Sequence, residues 1–291
     1  MKNKKLTVLI FTILLVSFAS ISAAAPSYIW DGGNGPAQWY DVNKGNVYSG
    51  ETYYCWATTA ADALAWAGWD GWNSGTKSLI STPNDIYNTI KATWPDKDGS
   101  PLNAYEWWLT NRTVGKFTGD TFPSAGENFY PSVPIGVAGS VAAYASDATA
   151  GNIYSFLGTY IGDHRAIVAS VHVSASTYGA YDHALAVWGW DPIADLIYVT
   201  DGDDGKTALD TYSFYQSGGQ VYIKNYTNLY TTPVDIEITE LDRLNLNSTG
   251  IEPNGYCVGA SCTTATPEPA TMLLLGLGLM GVLGIRRKIQ K

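Results

Sequence analysis

The stretch from Tyr181 to Asp204 limits the possible folds of this chain more than any other. It holds two runs rich in β-branched and aromatic residues, Ala184–Trp190 and Leu196–Thr200. Between them Asp191-Pro192-Ile193-Ala194-Asp195 carries turn chemistry, which predicts a β-hairpin. Facing residues of an antiparallel pair have indices that sum to a constant, so a turn centred near Pro192 predicts His183 opposite Asp201. Side chains repeat with period two, and Asp203 then leans to the same face as Asp201. An imidazole beside a carboxylate at the open end of a hairpin is the base-and-orienter half of a catalytic triad. The nucleophile must come from elsewhere in the chain.

Cys55 answers that requirement. Residues Ala57 to Ala67 are alanine-rich and strongly helix-forming, Gly68 is a predicted stop, and Thr52 is the predicted N-cap. Cys55 then falls in the first turn, where free amide N–H groups and the helix dipole favour a thiolate and can bind an oxyanion. Trp56, Ala60, Ala63, Leu64 and Ala67 share one buried face. The alternative for Cys55, taken alone, is a small buried hydrophobe.

Further helices are predicted over 83–94, with Pro83 near its first position, over Leu102–Leu109, and around Asn152–Ile161. Strands are predicted at Ala166–Val173, Thr211–Phe214 and Val221–Ile223, with a weaker pattern at Val234–Leu241. Residues 26–50 read as extended and looped, and 111–138, rich in Gly, Pro and Ser, as a surface excursion. Helices in the front half and antiparallel strands in the back half make the class α+β.

Both ends read as targeting signals. Residues 1–25 combine Lys2, Lys4 and Lys5, an apolar run, and small residues before Pro26, the pattern of a secretory signal peptide. At the other end Pro267-Glu268-Pro269 precedes 16 apolar residues, Ala270 to Ile285, and then Arg286-Arg287-Lys288. That run is shorter than the ~20 residues of an ordinary membrane span. It leaves a folded domain at 26–246, a Ser/Thr/Gly linker at 247–266 and a tail at 267–291. Three of the 17 Lys+Arg lie in the leader and four in the tail, and one of the 26 Asp+Glu lies in the tail. The central part therefore carries 10 basic against 25 acidic residues, about −15, a surface that repels nucleic acid and anionic lipid. Cys257 and Cys262 are close enough in sequence for a local disulfide in an oxidising compartment, which leaves Cys55 unpaired. Three histidines are too few for a histidine-rich metal cluster.

The tail resembles the PEP-CTERM sorting signal, a Pro-Glu-Pro motif with a short hydrophobic helix and a basic end. That resemblance implies export from a Gram-negative bacterium, signal peptidase and an exosortase as processing partners, transient inner-membrane anchoring, and release to the periplasm, cell surface or extracellular matrix. The order Cys55, His183, Asp201 is that of papain-like thiol proteases, with the histidine 128 residues downstream of the cysteine. Four stretches further resemble the IdeS/Mac immunoglobulin-degrading cysteine proteases: Trp39–Lys44, Cys55–Ala60, Tyr181–Gly189 and Ile197–Asp203. The resemblance runs over roughly residues 37–240 and implies a papain-like fold. It implies Cys55 as nucleophile, His183 as general base, Asp201 and Asp203 as the carboxylates serving it, and Lys44 with the Cys55 amide at the oxyanion. The expected activity is that of an exported cysteine endopeptidase acting on a protein substrate, needing no cofactor beyond conditions that keep the thiol reduced. Acyl transfer by a transglutaminase or amidase uses the same triad, so hydrolysis and transfer both stay open.

Other readings compete for the same residues. Asp201-Gly202-Asp203-Asp204-Gly205 is acidic enough for calcium, but an EF-hand loop starting at Asp201 would need a glutamate where Tyr212 stands. A non-catalytic matrix or carbohydrate-binding protein would use Trp69, Trp72, Trp94, Trp107 and Trp108 for sugar stacking. His172, among apolar strand residues, reads as structural.

Overall fold

A computed structural model of the chain describes residues 27–28, 39–45, 51–110, 127, 129–130, 138–142, 150–163, 165–174, 179–228, 232–247 and 253. The leader at 1–25, the tail at 267–291, most of the linker at 247–266, and Cys257 and Cys262 lie outside the described residues. Among those described, no helix is long and apolar enough to cross a membrane.

Four helices are described: α1 (Cys55–Trp66), α2 (Pro83–Thr93), α3 (Pro101–Thr110) and α4 (Ala150–Gly162). Helix α1 stops where its glycine requires. Gly68 takes φ +74°, its amide donates to Ala65 O, and the Trp69 amide donates to Leu64 O, a Schellman closure. Its start departs from the sequence reading. Tyr54, not Thr52, is the N-cap, and its side chain makes no cap bond. Thr52 lies two residues before that cap, and the Asp96 carboxylate takes the Thr52 and Tyr53 amides, at 3.0 and 2.8 Å. Helix α2 follows the sequence closely: Pro83 opens it, Thr82 Oγ1 accepts from the Asp85 amide, and it ends before Pro95.

The strands are β1 (Ser27–Tyr28), β2 (Gly71–Asn73), β3 (Ser78–Ile80), β4 (Ala138–Ala142), β5 (Ala166–Val173), β6 (Tyr181–Asp191), β7 (Leu196–Thr200), β8 (Asp210–Ser217), β9 (Gln220–Tyr226) and β10 (Val234–Leu244). All described pairs are antiparallel, in the order β1-β6-β5-β10-β9-β8-β7, with β7 returning to β6. Strands β5 to β10 therefore close into a six-stranded barrel. The weakest predicted strand, β10, is the seam: β5 lies along one edge, and β9 and then β4 share the other. Strand β6 is buried at almost every position because α1 covers one face and the barrel core the other.

The hairpin register differs from the sequence reading. Ala186 pairs with Thr200 and Val187 with Val199, after which a bulge shifts the ladder so that Gly189 pairs with Tyr198. The turn is displaced beyond Pro192 because Asp191 Oδ1 accepts the Ile193 and Ala194 amides, and Asp195 takes a left-handed φ of 52°. The region read as a surface excursion is also tied in. Phe129 and Tyr130 are buried, their amides donate to Trp108 O and Leu109 O, and β4 joins the sheet.

The helical half is held by aromatic rings in series. Tyr54 meets Trp56, Trp56 meets Trp94, Trp94 meets Trp107, Trp107 meets Trp108, and Trp108 meets Phe129, with centroids 4.8 to 6.3 Å apart. The five tryptophans considered for sugar stacking belong to this core, none of them more than 8% exposed.

Candidate active site

The open end of the β6–β7 hairpin abuts the start of α1, and the short segment 39–45 is threaded between α1 and the loop after β7. Backbone and side chain both fix that segment. Thr200 Oγ1 donates to Tyr40 O, the Val42 amide donates to Asp62 on α1, and the Lys44 amide donates to Gly202 O at 3.0 Å. The approach leaves no room for a side chain at Gly202, where a Cβ would stand 2.4 Å from Thr58 Oγ1 and 3.0 Å from Val42 O. Thr58 in turn donates to Cys55 O at 2.8 Å. Gly202 is thus a close-contact glycine that seats the acidic loop against the first turn of α1.

All five residues singled out in the sequence meet here. Cys55 is the first residue of α1, half-buried, with a free thiol. The Cys55 and Trp56 amides head the helix, where no intrahelical acceptor exists for them. His183 is buried near the start of β6, and its Nε2 lies 2.7 Å from Asp201 Oδ1. The register places Asp201 diagonally from His183, yet its side chain reaches the ring. The chain turns there, with Asp201 Oδ1 also accepting the Asp203 amide at 2.8 Å. Asp203 Oδ2 is 3.6 Å from His183 Nδ1. That ring nitrogen is buried and makes no hydrogen bond.

Lys44 is wholly withdrawn from water. Its Nζ sits 2.5 Å from Asp203 Oδ1 and donates to Thr52 O at 2.9 Å. Among the described residues the ammonium thus meets two acceptors. The residue therefore links the acidic loop to the backbone just before the nucleophile helix.

The charges are balanced by pairing. Burial alone would push the His183 pKa down, but Asp201, Asp203 and the Cys55 thiol hold it well above the ordinary imidazole range. Burial would push Asp201 up, but His183, the Tyr226 hydroxyl and the Asp203 amide bring it below the ordinary carboxylate range. Asp203 lies above that range because burial, with Asp201 beside it, outweighs His183 and Lys44. The ring is held on one side by the Asp201 carboxylate, and its neighbours favour the protonated form.

Several contributors escaped the sequence reading. Tyr226 on β9 donates to Asp201 Oδ2 at 2.5 Å, and Asn228 donates to the Tyr226 and Tyr181 hydroxyls. Asp62 on α1 accepts the Val42 amide, and Asp41 within the 39–45 segment accepts the Ala208 amide. None of these carries a local signal, because a tyrosine or aspartate in a strand or helix looks the same whether or not it meets a site. His172 pairs with Asp182 at the surface, 2.9 Å away, apart from this cluster.

His183, Asp201 and Asp203 also offer donors close enough together for a metal ion. The fit is poor, since the Lys44 ammonium already occupies Asp203 and His183 Nε2 is engaged by Asp201.

The C-terminal residues 265–288 match the family described as the PEP-CTERM protein-sorting motif. The chain thus ends in a sorting signal of exported proteins handled by an exosortase. No curated protein matches the chain.

Proposed function

We propose that this exported protein is a cysteine endopeptidase of papain-like type, resembling the IdeS/Mac proteases in its site. One observation carries the reading: a buried His183 held at Nε2 by Asp201, its Nδ1 free of hydrogen bonds, beside a free thiol on the first residue of a helix. Held in that way, the ring can exchange a proton with the thiol only through Nδ1. The Cys55 thiolate attacks the carbonyl carbon of the scissile peptide, and the electron pair of the C=O bond moves to oxygen. The Cys55 amide stabilises that oxyanion, while Lys44, paired with Asp203, holds Thr52 O just before the helix. As the tetrahedral intermediate collapses, His183 Nδ1 gives its proton to the departing amine and an acyl-enzyme remains. Water, deprotonated by the now neutral His183, then attacks the thioester, and collapse of the second tetrahedral intermediate releases the acid and restores the thiolate–imidazolium pair. An amine in place of water would give acyl transfer by the same steps.

The carbohydrate-binding alternative loses its main support, because the tryptophans it would use are core residues. Iodoacetamide labelling across pH 4 to 9, with the adduct located by mass spectrometry, tests the reading. Rapid alkylation of Cys55 below pH 7, lost in His183→Ala, is expected. Labelling that rises only with ordinary thiol ionisation near pH 8.5, indifferent to His183, would overturn it. Cys55→Ala should abolish cleavage of any protein substrate found in a screen.

A further inference from the structure

We propose that Tyr226 is a positioning residue which, with Asn228 and Tyr181, aims the Asp201 carboxylate at His183. This role rests on the cysteine-protease reading above for its catalytic meaning, but not for its geometry.

Asp201 is fixed by donors from three different parts of the chain. Its Oδ1 takes His183 Nε2 from β6 and the Asp203 amide from its own loop, and its Oδ2 takes the Tyr226 hydroxyl from β9. Two donors on one oxygen would still let the carboxylate plane rotate about that oxygen. The Tyr226 hydroxyl on the other oxygen removes this freedom.

The direction of the Tyr226 hydrogen bond is settled by Asn228. Its Nδ2 lies 2.8 Å from the Tyr226 oxygen and 3.2 Å from the Tyr181 oxygen, and an amide NH2 only donates. The Tyr226 oxygen therefore accepts from Asn228, and its single proton is left for Asp201. Burial and the neighbouring Asp201 charge push the Tyr226 phenol well above its ordinary range, so it remains a donor at any physiological pH. Tyr181 lies two residues before His183 on β6, on the same face, with ring centroids 6.2 Å apart. The hydrogen-bonded path Tyr181–Asn228–Tyr226–Asp201–His183 thus begins and ends on one strand.

A tyrosine that merely filled space would need no hydroxyl here. The Tyr226 ring packs against His183 at 6.2 Å and Tyr212 at 5.7 Å, contacts that phenylalanine keeps. The substitution Tyr226→Phe therefore separates aiming from packing. Asn228 is only half-buried, and Asn228→Ala removes the amide that orients the hydroxyl without opening the core.

The test uses the exported chain and two readouts. Proton NMR at pH 6 follows the buried His183 Nε2 proton shared with Asp201, expected as a slowly exchanging low-field resonance in the wild type. In Tyr226→Phe that resonance should move upfield and exchange with water about ten- to a hundredfold faster, the scale of one hydrogen bond to a charged group. Cys55 alkylation at pH 6, measured in the folded protein, should slow by a similar factor. Asn228→Ala should shift both readouts the same way by less, and it serves as the test if Tyr226→Phe folds poorly. An unaltered resonance and exchange rate in a folded variant overturns the positioning role. A normal low-field proton with slow, His183-independent labelling of wild-type Cys55 would instead sink only the thiol-nucleophile reading.

Discussion

Two groups of side chains are equally withdrawn from water in this protein and are held there by opposite means. In the helical half, Trp56, Trp94, Trp107 and Trp108 pack edge against face with Phe129. At the barrel rim, Lys44, His183, Asp201 and Asp203 are as deeply buried but are charged and matched one to one. The aromatic series is stabilised by area removed from water, so each ring contributes nearly on its own. The charged set gains little by burial as such, and each member is tolerable only while its partner is present. The first region builds the wall against which α1 rests; the second seats a charged cluster against the start of α1.

Substitution in each region sharpens that contrast. Trp107→Ala should cost about 3–5 kcal/mol in urea unfolding, the usual scale for a large buried ring. Early Cys55 alkylation at pH 6 should nonetheless persist in the fraction that remains folded. Loss of that reactivity together with stability would mean the two regions are not separable.

Lys44→Met should cost a comparable ~3–5 kcal/mol, because it leaves Asp203 buried without its cation. Here the double variant decides. Lys44→Met combined with Asp203→Leu should recover most of the loss, since removing both charges removes the mismatch. It should still label Cys55 slowly. A double variant as unstable as the single one would show that Lys44 acts through packing rather than pairing.

The smallest effect concerns Asp41, which ties the segment carrying Lys44 to the Ala208 amide. Burial, with Asp204 nearby, raises its pKa from 3.8 to about 8 in the folded protein. The native state therefore holds a proton that the unfolded chain releases near pH 4. The stability this contributes is complete below about pH 4 and is lost as pH rises through about 8. Asp41→Asn should flatten the fall in melting temperature between pH 5 and pH 9. Some slope should remain, because the fully buried Asp62 is also shifted well upward by burial and by Asp41. An unchanged slope would place the pH sensitivity elsewhere.

How much of this was legible in the sequence varies by element. Helix α1, its glycine stop, β5 and the β6–β7 hairpin follow from local composition and period, and the structure contains them with nearly the expected bounds. The register of that hairpin was not legible, because Asp191 captures two turn amides and a bulge follows Val187. The cap of α1 was misassigned as well: Tyr54 holds that place, and the Thr52 amide goes to a carboxylate 44 residues away in sequence. Strand β10 looked weak because its alternation includes Glu237, Glu240 and Asp242, yet it holds the barrel together through three neighbours.

The sequence by itself determined the exported character, the α+β class, a cysteine at a helix start and a histidine paired with acidic residues on a hairpin. These depend on interactions over a few residues, which composition and spacing record. Only the tertiary structure decided that Lys44 is spent on Asp203, that Gly202 must lack a side chain, and that Tyr226, oriented by Asn228, reaches Asp201 from another strand. The Lys44–Asp203, Gly202–Thr58 and Tyr226–Asp201 contacts join segments far apart in sequence, and closure of the sheet, which no local pattern encodes, is what brings them together.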